Sequence, residues 1–87
     1  MFLHLGSGAV ARMDDIVAVF DMDNTTISRQ SRRFLAMAQK NGQVVDTSED
    51  LPKSYVVTSY QGKTRVYITS LSSQTLFKRA KSNQILL

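Results

Sequence analysis

Apolar and polar positions alternate from the start of the chain. Residues 2–5 (FLHL) alternate, Gly6-Ser7-Gly8 supplies a turn, and residues 9–12 are extended again, which predicts a hairpin. Met13-Asp14-Asp15 breaks the pattern, because two adjacent acids cannot both face a core. Residues 16–20 (IVAVF) are an unbroken apolar run, predicting a buried strand at the centre of the sheet.

The period then changes. Ile27, Ser31, Phe34, Leu35 and Ala38 follow the i, i+4, i+7, i+8, i+11 spacing of a single helical stripe, while Arg29, Arg32, Arg33 and Lys40 gather on the opposite side. This predicts a helix over residues 27–41, capped by Asn24-Thr25-Thr26 and closed by Gly42, with a basic outer face. Val44-Val45 is a short extended piece. Residues 46–52 read as a polar loop, whose Pro52 cannot donate to a central ladder, with Lys53 at its exit.

Residues 54–60 and 65–69 alternate on either side of Gln61-Gly62-Lys63-Thr64, a second hairpin. Val56, Thr58 and Tyr60 share one face of it, and Tyr55, Val57 and Ser59 the other. Ser72 or Ser73 caps a closing helix, with Leu71 and Leu76 at hydrophobic-staple spacing when Ser72 is the cap. Leu76, Phe77 and Ala80 are expected to face inward. Lys78, Arg79 and Lys81 are expected towards the helix C-terminus, where cations complement the dipole. The apolar end, Ile85-Leu86-Leu87, is expected either to dock on its own sheet or to meet a neighbouring subunit.

Composition narrows the function classes. A length of 87 residues suits one domain over residues 1–87, since domains are typically about 100 to 150 residues. With no cysteine and only His4, neither a disulfide framework nor a metal or other cofactor is expected. No run approaches the roughly 18 apolar residues of a membrane span, and the first residues lack a signal-peptide pattern, so a cytosolic protein without membrane contact is expected.

Charge is distributed unevenly along the chain. Residues 1–50 carry five cations against all seven acids, whereas residues 51–87 carry six cations and no acid. A half of one sign favours a polyanionic partner, although a solvated basic surface has the same composition. Tyr55, Tyr60 and Tyr67 are candidates for a base-stacking platform, with half-buried packing in a small sheet as the competing account.

Asp21-Met22-Asp23-Asn24-Thr25 spells D-x-D-x-T, the nucleophile motif of haloacid-dehalogenase phosphatases. That chemistry also needs a further metal carboxylate and a lysine with a Ser or Thr from later strand ends. Beyond Thr25 the only acids are Asp46, Glu49 and Asp50, all in the polar loop, and a tight antiparallel hairpin follows in place of βαβ units of about 30 residues or more. Asp21 and Asp23 therefore read as turn and helix-start acids, and no catalytic residue is expected.

Four segments share one likeness in order and spacing: residues 2–6 (FLHLG), 15–21 (DIVAVFD), 52–58 (PKSYVVT) and 71–80 (LSSQTLFKRA). Together they resemble the RemB branch of the bacterial extracellular-matrix regulator (Rem) family. The resemblance implies a cytosolic regulator that promotes biofilm matrix gene expression in spore-forming Gram-positive bacteria. It implies an α+β fold similar to LytTR-type DNA-binding domains, here a small mixed, mainly antiparallel sheet with two helices, assembled into a ring-shaped homo-oligomer.

In the related RemA branch, arginines along the ring edge bind DNA, and two of those positions fall on Arg32 and Arg33. An arginine pair of that branch falls on Leu51-Pro52, leaving Lys53 alone, and a further basic position falls near Asp15. The expected DNA-contacting set is Arg29, Arg32, Arg33, Lys53, Lys63 and Arg65, acting on backbone phosphates of double-stranded DNA. The alternatives are an oligomeric protein-interaction module without DNA binding and, last, a phosphatase-like fragment.

Overall fold

In the computed structural model, which describes residues 1–22 and 28–85 with side chains as far as Lys81, the alternating segments form strands as their patterns dictate. β1 (Phe2–Gly6) and β2 (Ala9–Arg12) are an antiparallel hairpin and a sheet of their own. Leu3 and Leu5 point into the core, while Phe2 and His4 face outward. A single 3-10 turn, Met13–Asp15, leads into β3 (Ile16–Asp21).

A mixed four-stranded sheet has the order β3-β5-β6-β4, where β4 is Val44–Asp46, β5 is Ser54–Tyr60 and β6 is Lys63–Thr69. β5 runs antiparallel to β3 and β6, and β4 runs parallel to β6. The expected α+β class is therefore observed, with the first hairpin standing apart from the main sheet.

The apolar run 16–20 is not a central strand. β3 pairs only with β5, at one edge, and the centre is the β5–β6 hairpin. A β-bulge explains why an edge strand reads as wholly apolar: Ile16 opposes Thr58 and Ala18 opposes Val57, so Val17 is an extra residue. Ile16 consequently packs on one core and Ala18 on the other. The turn of the central hairpin is also tighter than the sequence suggested. Only Gln61 and Gly62 lie between the strands, at φ +50° and +78°, values suited to a turn with two left-handed residues, and Lys63 and Thr64 are already paired.

One face of the sheet is covered by α1 (Arg29–Lys40). Ser28 caps it, its Oγ accepting from Ser31 N at 3.1 Å, so the helix begins later than residue 27 and the cap is not drawn from Asn24-Thr25-Thr26. Those three residues and Ile27 lie outside the described residues. Gly42 ends the helix at φ +71°, donating to Gln39 O while Gln43 N donates to Ala38 O at 2.9 Å, a Schellman closure. Ala38 is buried against Val57 and Val66, and Leu35 packs beside them; Phe34, expected in the same stripe, is only partly covered because it lies on the flank towards the β3 edge.

The other face is covered by the β1–β2 hairpin and by α2 (Ser73–Ile85). Leu3, Leu5, Ala11, Val56 and Leu76 form its core, and full burial of a leucine contributes about 1.5–3 kcal/mol. Thr69 Oγ1, itself buried, donates to Leu5 O at 2.6 Å and accepts from Leu71 N at 3.1 Å, tying hairpin, sheet and the approach to α2 together. Ser72 is the α2 cap, accepting from Thr75 N at 3.1 Å, and Leu71 packs on the core that holds Leu76, as the staple spacing predicted.

Two expectations for this helix are corrected. Phe77 is largely exposed, and Lys78, Arg79 and Lys81 sit in mid-helix, because α2 continues to Ile85. Leu86 and Leu87 lie outside the described residues.

Candidate nucleic-acid interface

The cations proposed as a DNA surface are held by three different elements. Arg29, Arg32 and Arg33 come from α1, all exposed. With Ala38 turned onto the sheet, helical spacing turns Arg29, Arg33 and Lys40 to solvent, and Arg32 falls on a flank. There Arg32 joins Met22, Leu35, Gln39 and Tyr55 in lining a half-polar cleft of about 320 Å³. Among the described residues, none of the three arginines forms an ion pair; the pair that is formed joins Arg12 to Asp15 at 3.9 Å.

Lys53 is fixed by its backbone, which donates to Thr69 O at 2.8 Å and accepts from Met22 N at 2.9 Å. Since Met22 also borders the Arg32 cleft, Lys53 and Arg32 share one end of the sheet. Lys63 and Arg65 are at the other end. They pair with Tyr60 and Thr58 beside the hairpin turn, and line a separate cleft of about 560 Å³ with Gln43 and Val45. Strand alternation puts both on the face opposite α1, because Val66 between Arg65 and Tyr67 is the residue that meets Ala38. The six expected positions are thus exposed but split into an α1–Lys53 group and a Lys63–Arg65 group.

A tyrosine platform is not formed. Tyr55 packs on the α1 side of the sheet and Tyr67 on the α2 side, while Tyr60 is exposed at the hairpin end with the Arg12 guanidinium 5.4 Å from its ring centre. Half-buried packing is the correct account of the first two. Arg12 was missed as a neighbour of the Lys63 end, and no local signal marks it, since its position beside Tyr60 follows from how the first hairpin docks. Two later cations are engaged already: Arg79 donates to His4 O at 3.3 Å, and Lys81 lies 5.1 Å from the Phe77 ring centre.

For the phosphatase motif, Asp21 ends an edge strand whose one neighbour is antiparallel, while Asp23, Asn24 and Thr25 lie outside the described residues. Among the described residues, no three metal-ligating side chains come together.

The order of the elements and the paired surface arginines set the frame for comparison with known proteins. Residues 2–80 match the model of the RemA-like family, Extracellular matrix regulatory protein A-like. The chain belongs to this family. It is also 37% identical over 81 residues to the Extracellular matrix regulatory protein B of Bacillus subtilis (strain 168), an alignment that covers 93% of this chain and 91% of that protein. The likeness drawn from four short segments therefore extends across nearly the whole chain. Within the family, α1 with Arg32 and Arg33 is one continuous exposed helix, so those positions are presented on a rigid element.

Proposed function

We propose that this chain is a non-enzymatic, cytoplasmic regulator of extracellular-matrix genes, a single Rem-type domain that assembles into a LytTR-like ring and engages double-stranded DNA through backbone phosphates. The observation that carries the DNA reading is the α1 surface: three exposed arginines without an acid partner among the described residues, on a capped helix, with Lys53 at the same end of the sheet. Unpaired guanidiniums on a rigid helix match phosphate oxygens and release counterions when they bind. Lys63 and Arg65, on the opposite face, reach a duplex only where a second subunit or a curved path brings it past the hairpin end. No helix of the described residues is long and apolar enough to cross a membrane.

A second reading, an oligomeric interaction module without DNA binding, is favoured by a different observation, the exposed apolar side chains Val17, Val19, Phe34 and Phe77. One experiment separates the two. DNA affinity is measured across a salt series for the native chain and for the Arg32→Ala/Arg33→Ala variant. Phosphate contact predicts a steep salt dependence whose slope falls by about 0.9 for each contact removed. Absence of binding at low salt, with the chain still folded, leaves the interaction module.

A further inference from the structure

The four-stranded sheet is open at both ends. At one, β3 pairs inward with β5 and presents Val17, 67% exposed, and Val19, 38% exposed, beside its free edge. Apolar grooves flank this edge on both faces. Ile16, Val19, Leu76, Phe77 and Ala80 line one of about 560 Å³ against α2, and Val17, Phe20, Phe34 and Val57 line another of about 270 Å³ against α1. At the other end, β4 pairs inward with β6 and shows Val45, 39% exposed. Unpaired edges with apolar flanks are the usual template for pairing with another chain.

Strand direction selects which edges fit. β5 is antiparallel to both β3 and β6, and β4 is parallel to β6, so β3 and β4 point the same way. A rotation that sets one copy beside the next and continues the sheet places β3 parallel to the neighbour's β4, with their starting ends adjacent. Asp14 and Asp15 immediately precede β3; Asp14 is exposed, and Asp15 already has Arg12 at 3.9 Å. The starting end of β4 is cationic, with Lys63 and Arg65 at the head of β6 and Lys40 in the last turn of α1. Parallel pairing therefore sets acid against base. Antiparallel pairing of two β3 edges would instead bring Asp14 and Asp15 of one copy towards Asp21 of the other.

We propose that the β3 edge of one copy docks in parallel on the β4 edge of a second copy of this chain, a head-to-tail contact oriented by Asp14 against Lys63 and Arg65. This rests on the reading that the chain self-associates. Because the two surfaces differ, the contact repeats from copy to copy and either closes into a ring or continues as a filament.

The chain contains no cysteine, so the test is direct. Val17→Cys and Val45→Cys variants are prepared singly, mixed, and joined by oxidation or a short bis-maleimide, with light scattering on the same samples. The expected result is a linked dimer from the mixture and only a trace from either variant alone. Efficient linking of Val17→Cys to itself establishes a symmetric β3 contact and overturns the proposal. An oligomer without cross-links overturns the edge assignment but leaves self-association standing, whereas a monomer at micromolar concentration removes both. As an independent check, Asp14→Lys should weaken association several-fold and Lys63→Asp in the same chain should restore it; two losses that simply add would also overturn the proposal.

Discussion

On one face of the four-stranded sheet Leu3, Leu5, Ala11, Val56 and Leu76 are buried together, tied across elements by Thr69; on the other, the buried side chains are Ala38, Val57 and Val66, under a single helix. The α1 core consists of small side chains, and Leu35 and Phe34 beside it remain partly exposed. The α2 side buries long leucines from three separate stretches of chain. The contrast assigns different work to the two faces. The α2 side supplies most of the burial that holds the fold, and the α1 side holds a helix whose outer surface is free to carry arginines. A residue that meets solvent on α1 can be changed with little effect on folding, which is what a surface selected for contact requires.

The contrast is open to measurement by urea unfolding. The largest effect is expected from Leu5→Ala, at about 2–5 kcal/mol, because a fully buried leucine leaves a cavity between hairpin, sheet and α2. Leu35→Ala on the α1 side should cost clearly less, since that side chain is only half-buried. Equal losses would erase the distinction between the faces. Next comes Thr69→Val, at about 1–3 kcal/mol, because the same shape is kept while Leu5 O and Leu71 N lose their buried partner. A neutral result would mean that leucine packing alone holds the hairpin.

The smallest effect concerns the end of β4. Asp46 is held below the usual carboxylate range, first by the Ser48 hydroxyl and then by the Ser48 backbone N–H. A depressed carboxylate contributes stability above its ordinary pKa, and that contribution disappears as pH falls through the lowered value in the fold. In Ser48→Ala the Asp46 midpoint should rise towards the ordinary range, read by carboxyl-carbon NMR titration; an unchanged midpoint would assign the shift to the backbone alone.

Elements governed by local chemistry were legible in the sequence. Gly6-Ser7-Gly8, Gly42, the Ser72 cap with its Leu71–Leu76 staple and the alternation over residues 54–60 all behave as their patterns require. What could not be read is which strand neighbours which. An apolar run is expected of a central strand, yet the bulge at Val17 lets edge strand β3 serve both cores, and a bulge has no composition of its own. Phe77 reads as core by spacing but flanks an open edge, and the cations that share one basic half of the chain end on opposite faces, because strand parity and docking decide their side. Arg29, Arg32 and Arg33 were legible as a face because a helix carries its own periodicity.

The strand order also constrains how the chain reaches its native state. β3 and β4 never touch; each is held through the β5–β6 hairpin, which follows both in sequence. Closing that hairpin spans only Gln61 and Gly62, whereas seating β3 on β5 closes the loop of residues 22–53, so entropy favours the hairpin as the first lasting contact. The first half of a nascent chain, including the arginine helix, has no sheet to lie on until the second half emerges. Assembly then begins from the middle of the finished sheet outward, and the two edges left open are the last to be completed.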